Sequence, residues 1–162
     1  MKYSIIIGVF CLAFCCTAVG QWPAQTLPQF SFTGQNKMAF TNKNLADSKY
    51  YFFAFVDADC DHCRQTIRGI NRYHEKFKNT AIYLVSMSDE EKLNGLISQF
   101  GPELKSKKNV TILRDQKYEF LNKFKPRKFP GLYLYSKDGR LVIYEDNEQN
   151  LGRFLRQVNE QG

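Results

Sequence analysis

The stretch YYFFAFVDADCDHC, residues 50–63, joins a short apolar run to a pair of cysteines. Tyr50 to Val56 is continuously apolar, and a run of this length and aromatic content is typical of a strand buried on both faces. The polar sequence Asp-Ala-Asp ends the run, and a helix is predicted to open at Cys60. The sequence therefore predicts a strand-to-helix junction that carries Cys60 and Cys63.

A cysteine pair at such a junction suits thiol–disulfide chemistry. The free backbone N–H groups and the positive end of a helix dipole stabilise a thiolate in the first turn, and the thiolate is the form that attacks a disulfide. Cys60 is predicted to be the exposed nucleophile, and Cys63, one turn deeper, the thiol that resolves the mixed disulfide. Because the pair itself carries two electrons, this chemistry requires no metal or organic cofactor.

Other uses of a C-x-x-C pair are less favoured by the surrounding residues. A structural zinc site needs four ligands, and only the two histidines of the chain, His62 and His74, could complete one. His74 falls on an apolar helical stripe, which favours a packing role. A c-type haem site needs a histidine where this chain has Arg64. An inert disulfide would close a very small loop and add little stability on the chain-entropy account.

Residues 1–20 have the pattern of a secretory signal peptide. They combine a positive start, an apolar run from Ile5 to Cys16, and small residues in Ala18-Val19-Gly20 before a cleavage site. The apolar run is shorter than the roughly 20 residues that a membrane span needs. We expect a mature chain of residues 21–162 that forms a single domain.

The composition excludes several classes of protein. With 43% hydrophobic residues the chain is not disordered, and the two cysteines outside the leader cannot build a disulfide-dense scaffold. The full chain carries a formal charge of +7 and the leader holds one lysine and no acidic residue, so the mature charge is +6. Export argues against nucleic acid as a partner, and we interpret the basic surplus as a solubilising surface.

The rest of the mature chain alternates predicted strands and helices. A β-hairpin over residues 27–40 precedes the buried strand, while residues 21–26 show no periodicity and are predicted to be a loose lead-in. Periodicity and turn signals predict a helix from residue 60, a strand at 81–87, a helix at 89–100, a strand at 110–113, a helix at 118–124, strands at 132–135 and 141–144, and a helix at 148–158. This order predicts an α/β fold with a central mixed β-sheet flanked by helices.

The motifs resemble the thioredoxin superfamily and, more narrowly, the TlpA/ResA-like branch of exported thiol–disulfide oxidoreductases. Besides the C-x-x-C unit, the motifs that carry the resemblance are Leu27-Pro28-Gln29-Phe30, Val85-Ser86-Met87-Ser88-Asp89-Glu90, Phe129-Pro130-Gly131-Leu132-Tyr133 and Lys137-Asp138-Gly139-Arg140. The resemblance covers residues 27–158. It implies a thioredoxin-like fold with an N-terminal β-hairpin extension, so that residues 21–162 form a thioredoxin-like domain.

The resemblance also implies roles for the residues around Pro130. It implies that Pro130 is a cis-proline facing the cysteine pair, and that Phe129 and Gly131 bind an extended substrate segment through their backbone. From the sequence alone, Pro130 could equally be a trans proline that begins a strand.

The chain departs from its relatives at three positions. Thioredoxins have a tryptophan just before the first cysteine and a buried acid six residues before it, where this chain has Asp59 and Ala54. Several TlpA/ResA-like proteins have a glutamate three residues after the second cysteine, where this chain has Thr66. The usual proton acceptors for Cys63 are therefore missing. Two interpretations stay open. Either Asp57, Asp59 or a water molecule accepts the proton of Cys63, or the two carboxylates only form a polar rim around the site.

His62 and the acidic residues near it predict opposite effects on the redox potential. A histidine beside the nucleophile stabilises the thiolate and makes the disulfide a stronger oxidant, as in the periplasmic oxidases with a C-P-H-C motif. The carboxylates of Asp57, Asp59 and Asp61 disfavour another negative charge and act in the reverse direction. The potential is left open, with reduction of substrates as the favoured direction.

The function predicted from the sequence is thiol–disulfide exchange with protein substrates in the periplasm or cell envelope. Cys60 forms the mixed disulfide, Cys63 resolves it, and His62 tunes the thiolate. We expect a membrane-bound electron donor or acceptor as a further partner. Two alternatives stay open: a redox-inactive binding module of the same fold, and a chaperone that holds a soft metal between the two cysteines.

The intact mass of the exported protein tests the interpretation of the leader. We expect a chain that begins at Gln21 and carries no lipid, because a lipoprotein site prefers a small residue before its cysteine. Here Phe14 precedes Cys15, and Cys15 precedes Cys16. A mature chain that begins at a lipid-modified Cys15 or Cys16 would identify a lipoprotein instead.

Overall fold

Seven strands form one mixed β-sheet in the computed structural model, which describes residues 22–160. The strands are β1 (Ser31–Gly34), β2 (Ala39–Thr41), β3 (Tyr50–Val56), β4 (Thr80–Ser86), β5 (Val110–Arg114), β6 (Gly131–Ser136) and β7 (Leu141–Glu145). Their order across the sheet is β2-β1-β5-β4-β3-β6-β7. The predicted signal peptide, residues 1–20, lies outside the described residues.

Four α-helices connect or follow the strands. They are α1 (Asp61–Tyr73), α2 (Glu90–Phe100), α3 (Glu119–Lys123) and α4 (Leu151–Glu160). Short 3₁₀ turns lie at 42–44, 74–76, 102–106 and 148–150. None of the helices in residues 22–160 is long and apolar enough to span a bilayer.

The strand β3 lies in the middle of the sheet, as its apolar run predicts. It pairs in parallel with β4, from Tyr50 opposite Thr80 to Val56 opposite Ser86, and antiparallel with β6 on its other side. All seven of its residues are buried. Both strand neighbours supply hydrogen bonds, so the backbone polar groups of this buried strand are satisfied by the sheet.

The side chains of β3 alternate between two core layers. Phe52, Ala54 and Val56 pack into the layer formed by the apolar faces of α1, α2 and α4. Tyr51, Phe53 and Phe55 point to the opposite layer. The second layer is mainly aromatic and also contains Phe30, Phe32, Tyr83, Phe120, Phe124, Tyr133 and Tyr135. The period of two along β3 therefore places helices on one face of the sheet and a cluster of aromatic rings on the other.

The N-terminal lead-in is not loose, contrary to the prediction from its lack of periodicity. Its backbone bonds to the turn between β6 and β7, with Leu27 N–H donating to the Gly139 carbonyl at 2.7 Å and Leu141 N–H to the Gln25 carbonyl at 2.8 Å. The hydroxyl of the buried Tyr135 donates to the Ala24 carbonyl at 3.0 Å. The predicted β-hairpin extension is confirmed as β1 and β2, which join the sheet through β5.

Two predicted helices have different ends in the structure. The first helix, whose predicted apolar stripe includes His74, ends at Tyr73. The chain then tightens into a 3₁₀ turn in which Phe77 N–H donates to the His74 carbonyl at 3.3 Å. The last predicted helix begins as a 3₁₀ turn at Glu148–Asn150 and becomes α-helical only at Leu151. Periodicity does not separate these turns from a helix, since apolar residues at spacings of three and four suit both.

Replacing Phe53 by alanine tests the aromatic layer. Phe53 is fully buried and its ring lies 4.9 Å from the ring of Tyr83 and 5.5 Å from that of Phe124. We expect the free energy of unfolding to fall by about 3–5 kcal/mol in urea titrations. The matched change Leu121→Ala, at a side chain that is 41% exposed, should cost less than about 1 kcal/mol. Equal losses for the two variants would contradict the described core.

Candidate functional site

Cys60 forms the N-cap of α1. Its backbone is extended, with φ −103° and ψ 118°, and its Sγ accepts a hydrogen bond from the backbone N–H of Cys63 at 3.3 Å. The Cys60 carbonyl accepts from Arg64 N–H at 3.1 Å, which continues the helical pattern. The sulfur therefore occupies the place that a serine or aspartate oxygen fills at other helix starts, and it faces the free N–H groups of the first turn.

The two cysteines lie together but differ in their exposure. The Cys63 thiol donates to Cys60 Sγ over a sulfur–sulfur distance of 2.7 Å, and both cysteines are free thiols. Cys60 is partly exposed, whereas Cys63 has no exposed surface. Burial raises the pKa of the Cys63 thiol well above its usual range, and the nearby Cys60 and Asp57 add to the rise, against a backbone hydrogen bond from Asp57 that lowers it. A reagent therefore reaches Cys60 first.

The three carboxylates near the motif are not equivalent. Lys92 on α2 binds Asp59 at 2.8 Å, and this hydrogen bond holds the pKa of Asp59 below its usual value. Arg64 binds Asp61 at 2.6 Å. Asp57 is the carboxylate whose charge acts on Cys63, and its Oδ1 accepts the backbone N–H of Asp59 at 2.8 Å.

Neutral residues occupy the two positions where thioredoxins and TlpA/ResA-like proteins carry an acid, and both pack into the fold. Ala54 is fully buried in the middle of β3. The buried Thr66 hydroxyl donates to the His62 carbonyl at 3.0 Å. Neither side chain can accept a proton from Cys63, so Asp57 is the best-placed of the alternatives considered from the sequence.

His62 pairs with a residue that the sequence analysis missed. Its Nδ1 lies 3.0 Å from Oε1 of Glu148, in the turn before α4. Burial acts to raise the pKa of Glu148, but the hydrogen bond with His62 and the charges of His62 and Lys128 outweigh it, and the pKa is lowered. No motif marks Glu148, because the two residues are 86 positions apart in the chain.

The loop around Pro130 lies at the same edge of the sheet as the cysteine motif. The Phe129–Pro130 peptide bond is cis, and the next residue, Gly131, is the partner of Phe55 near the end of β3. Pro130 and Gly131 are buried and Phe129 is half-buried. A Cβ at Gly131 would meet Phe120, Pro126 and Tyr133 at 3.2–3.3 Å, so packing requires a small residue there.

His74 belongs to the core and not to the cysteine site. It is 4% exposed, and its Nδ1 lies 2.7 Å from the Asn71 carbonyl. This position agrees with the packing role that its place on the apolar stripe predicts. Within residues 22–160, no group of three or more histidine, cysteine, aspartate and glutamate side chains could hold a metal ion.

One cavity of the described residues lies away from the cysteines. It has a volume of about 480 Å³ and opens between the β1–β2 hairpin, α2 and β5. Its lining residues include Lys37, Glu90 and Arg114 but neither cysteine. The cysteine site therefore lies outside this cavity.

A family model described as the AhpC/TSA family matches residues 23–143, which is most of the chain and includes both cysteines and Pro130. The chain belongs to the AhpC/TSA family. No curated protein matches the sequence.

Solved structures share the fold of this AhpC/TSA family member. The thioredoxin domain of a thiol-disulfide oxidoreductase from Bacteroides vulgatus is 22% identical with a TM-score of 0.65, covering 84% of this chain and 94% of that one. A domain of a possible thiol-disulfide isomerase from Cytophaga hutchinsonii is 19% identical with a TM-score of 0.67, covering 88% and 97%. A secreted Mycobacterium tuberculosis disulfide oxidoreductase, homologous to E. coli DsbE, is 15% identical with a TM-score of 0.64, covering 80% and 96%. The predicted thioredoxin-like fold is confirmed.

Alkylation of the reduced AhpC/TSA family protein tests the asymmetry of the two thiols. We expect iodoacetamide at neutral pH to modify Cys60 at least about tenfold faster than Cys63, because each unit of pKa changes the thiolate fraction about tenfold and Cys63 is also buried. Peptide mass spectrometry over a time course measures both rates. In a Cys60→Ser control, Cys63 should stay slow. Equal rates in the native protein would contradict the described burial.

Proposed function

We propose that this protein is an exported thiol–disulfide oxidoreductase of the TlpA/ResA-like type that acts on protein substrates through Cys60 and Cys63. The observation that carries the proposal is the pairing of a partly exposed helix-capping sulfur with a buried one 2.7 Å away. The first sulfur can be reached by another protein, and the second can close onto the first without a large movement of the backbone.

The reaction begins with attack by Cys60. Its thiolate attacks one sulfur of a substrate disulfide, a Cys60–substrate disulfide forms, and the other substrate sulfur leaves as a thiolate that takes up a proton. Cys63 then loses its proton and attacks Cys60 Sγ, which forms the Cys60–Cys63 disulfide and releases the second substrate sulfur. Two electrons have passed from the cysteine pair to the substrate, and no cofactor takes part.

The neighbouring loop supports an extended protein substrate. Pro130 has no N–H, and it lies at the sheet edge to which β3 brings the cysteine motif. In this proposal the backbone of Phe129 and Gly131 binds a substrate segment beside Cys60 by strand-like hydrogen bonds. The absence of both cysteines from the lining of the cavity between the β1–β2 hairpin, α2 and β5 agrees with a substrate that binds on the surface.

The proposal places the protein outside the cytoplasm. The leader pattern of residues 1–20 supports export, and one structural neighbour is a secreted disulfide oxidoreductase. In the reductive direction the oxidised pair must be re-reduced, since each substrate consumes two electrons. A membrane-bound electron donor is the partner that would supply them.

Trapping the mixed disulfide tests this function. A reduced Cys63→Ser variant, incubated with insulin as a model disulfide substrate, should accumulate a covalent complex on non-reducing gels, because nothing resolves the Cys60–substrate bond. The matched Cys60→Ser variant should form none, and the native protein should reduce insulin without accumulating the complex.

Two results would overturn the proposed function. If neither the native protein nor the Cys63→Ser variant exchanges with insulin or with oxidised glutathione, the binding-module alternative replaces it. If the purified protein instead holds Cu(I) stoichiometrically and loses it on Cys63→Ala, the soft-metal alternative replaces it.

A further inference from the structure

His62, inside the cysteine motif, lies within hydrogen-bond distance of Glu148, which is 86 positions further along the chain. His62 is the second residue between Cys60 and Cys63, and its side chain is 70% exposed. The Glu148 side chain is only 15% exposed, and its Oε1 lies 3.0 Å from His62 Nδ1. Because an ionised carboxylate only accepts hydrogen bonds, His62 Nδ1 is the donor.

The fold holds Glu148 in place. Glu148 is the first residue of the 3₁₀ turn 148–150, and the Asn147 side chain caps this turn by accepting from Gln149 N–H at 3.0 Å. Leu151 follows at once and packs against α1, where a Cβ on Gly69 would stand 2.9 Å from Leu151 Cδ2. Gly69 is two helical turns beyond His62, on the same face of α1. This close approach brings the carboxylate to the ring.

The surroundings of Glu148 favour its charged form. Burial acts to raise its pKa, but the hydrogen bond with His62 and the charges of His62 and Lys128 outweigh it, so the pKa lies below its usual value. Glu148 is therefore a carboxylate at neutral pH, between His62 on α1 and Lys128 in the loop before Pro130.

We propose that Glu148 is a positioning residue that sets the redox potential of the Cys60–Cys63 pair through His62. This inference rests on the proposed function and adds a residue and a direction to it. Glu148 fixes the His62 ring by Nδ1, and its negative charge offsets the positive charge of the ring when the ring is protonated.

The direction follows from which redox state the histidine favours. A positive ring beside Cys60 stabilises the thiolate, which belongs to the reduced form, and so raises the reduction potential. A carboxylate 3.0 Å from that ring cancels much of this effect. The Glu148 carboxylate thus lowers the reduction potential and biases the pair towards giving electrons to a substrate.

The equilibrium of the native protein and of Glu148→Gln with a glutathione series tests the proposal. Glutamine keeps the size and an acceptor oxygen but removes the charge, so the variant isolates the electrostatic effect. We expect the equilibrium constant to shift about tenfold towards the reduced protein, which is about 30 mV for a two-electron couple. In a His62→Asn background the same change should have a much smaller effect, because Glu148 acts through the ring.

Glu75→Gln is the matched control. Glu75 lies in the 3₁₀ turn that follows α1, where its carboxylate is 3.6 Å from Nε2 of His74. The control also removes one carboxylate beside one histidine, but it lies more than 15 Å along α1 from the cysteines by the helical rise of about 1.5 Å per residue. It should leave the potential unchanged.

A second readout covers the case in which Glu148→Gln is poorly folded. In the native protein, the imidazole NMR signals of His62 should show a proton held on Nδ1, and Glu148→Asp, which keeps the charge, should preserve it better than Glu148→Gln. The buried His74 provides an internal reference for the fold, and its signals should not change.

Three results would overturn the inference. They are an unchanged or lower potential in Glu148→Gln, an equal shift in the His62→Asn background, and His62 signals that do not respond to Glu148. A native protein that forms no Cys60–Cys63 disulfide at any glutathione poise would instead overturn the proposed function, and the inference with it. The native measurement therefore separates the two failures.

Discussion

The hydrogen bond from the backbone N–H of Cys63 to Cys60 Sγ is the contact on which the site depends. It exists because the backbone of Cys60 is extended and α1 begins at the next residue, Asp61, so that the sulfur becomes the helix cap. The next helix shows the ordinary arrangement, in which the Asp89 carboxylate accepts from Lys92 N–H at 2.8 Å. A neutral sulfur is a weak acceptor, and a thiolate is a much better one. The capping bond that completes α1 is therefore stronger with an ionised sulfur than with a neutral one.

The core has the opposite effect on Cys63, because it favours the protonated thiol. Cys63 points into the layer that contains Ile67, Ile70 and the alternate side chains of β3, where water does not reach it. Ala54 lies in the same layer, at the position where thioredoxins carry a buried acid, and its methyl group adds no charge beside the thiol. Desolvation then keeps the Cys63 thiol protonated while Cys60 is a thiol. Once Cys60 forms a disulfide with the substrate, Cys60 Sγ becomes an electrophile that the Cys63 sulfur can attack. The same burial that stabilises the domain orders the two steps of exchange.

Much of the fold could be predicted from the sequence because its signals are local. The apolar run of β3 and the Asp-Gly turn at Asp138–Gly139 identified elements at their correct places. The pairing of His62 with Glu148 could not be predicted, since it depends on how α1 packs against the start of α4. The order of residues 22–26 was missed for a related reason: backbone hydrogen bonds such as that from Leu141 N–H to the Gln25 carbonyl leave no pattern of side chains.

The charges around Cys60 occur as pairs, which bears on the opposite expectations drawn from the sequence. Considered singly, His62 predicts an oxidant and the neighbouring aspartates predict a reductant. In the structure Lys92 binds Asp59, Arg64 binds Asp61, and the His62 ring lies against Glu148. An exposed pair has a weak field beyond its own length, because opposite charges cancel and salt screens the remainder over about 8–10 Å. The balance at the motif then rests on the helix N-terminus, which favours the Cys60 thiolate, and on the charge of Asp57, which opposes ionisation of Cys63. A histidine between two cysteines does not by itself make an oxidant, since its effect depends on the carboxylate that the rest of the fold brings to it.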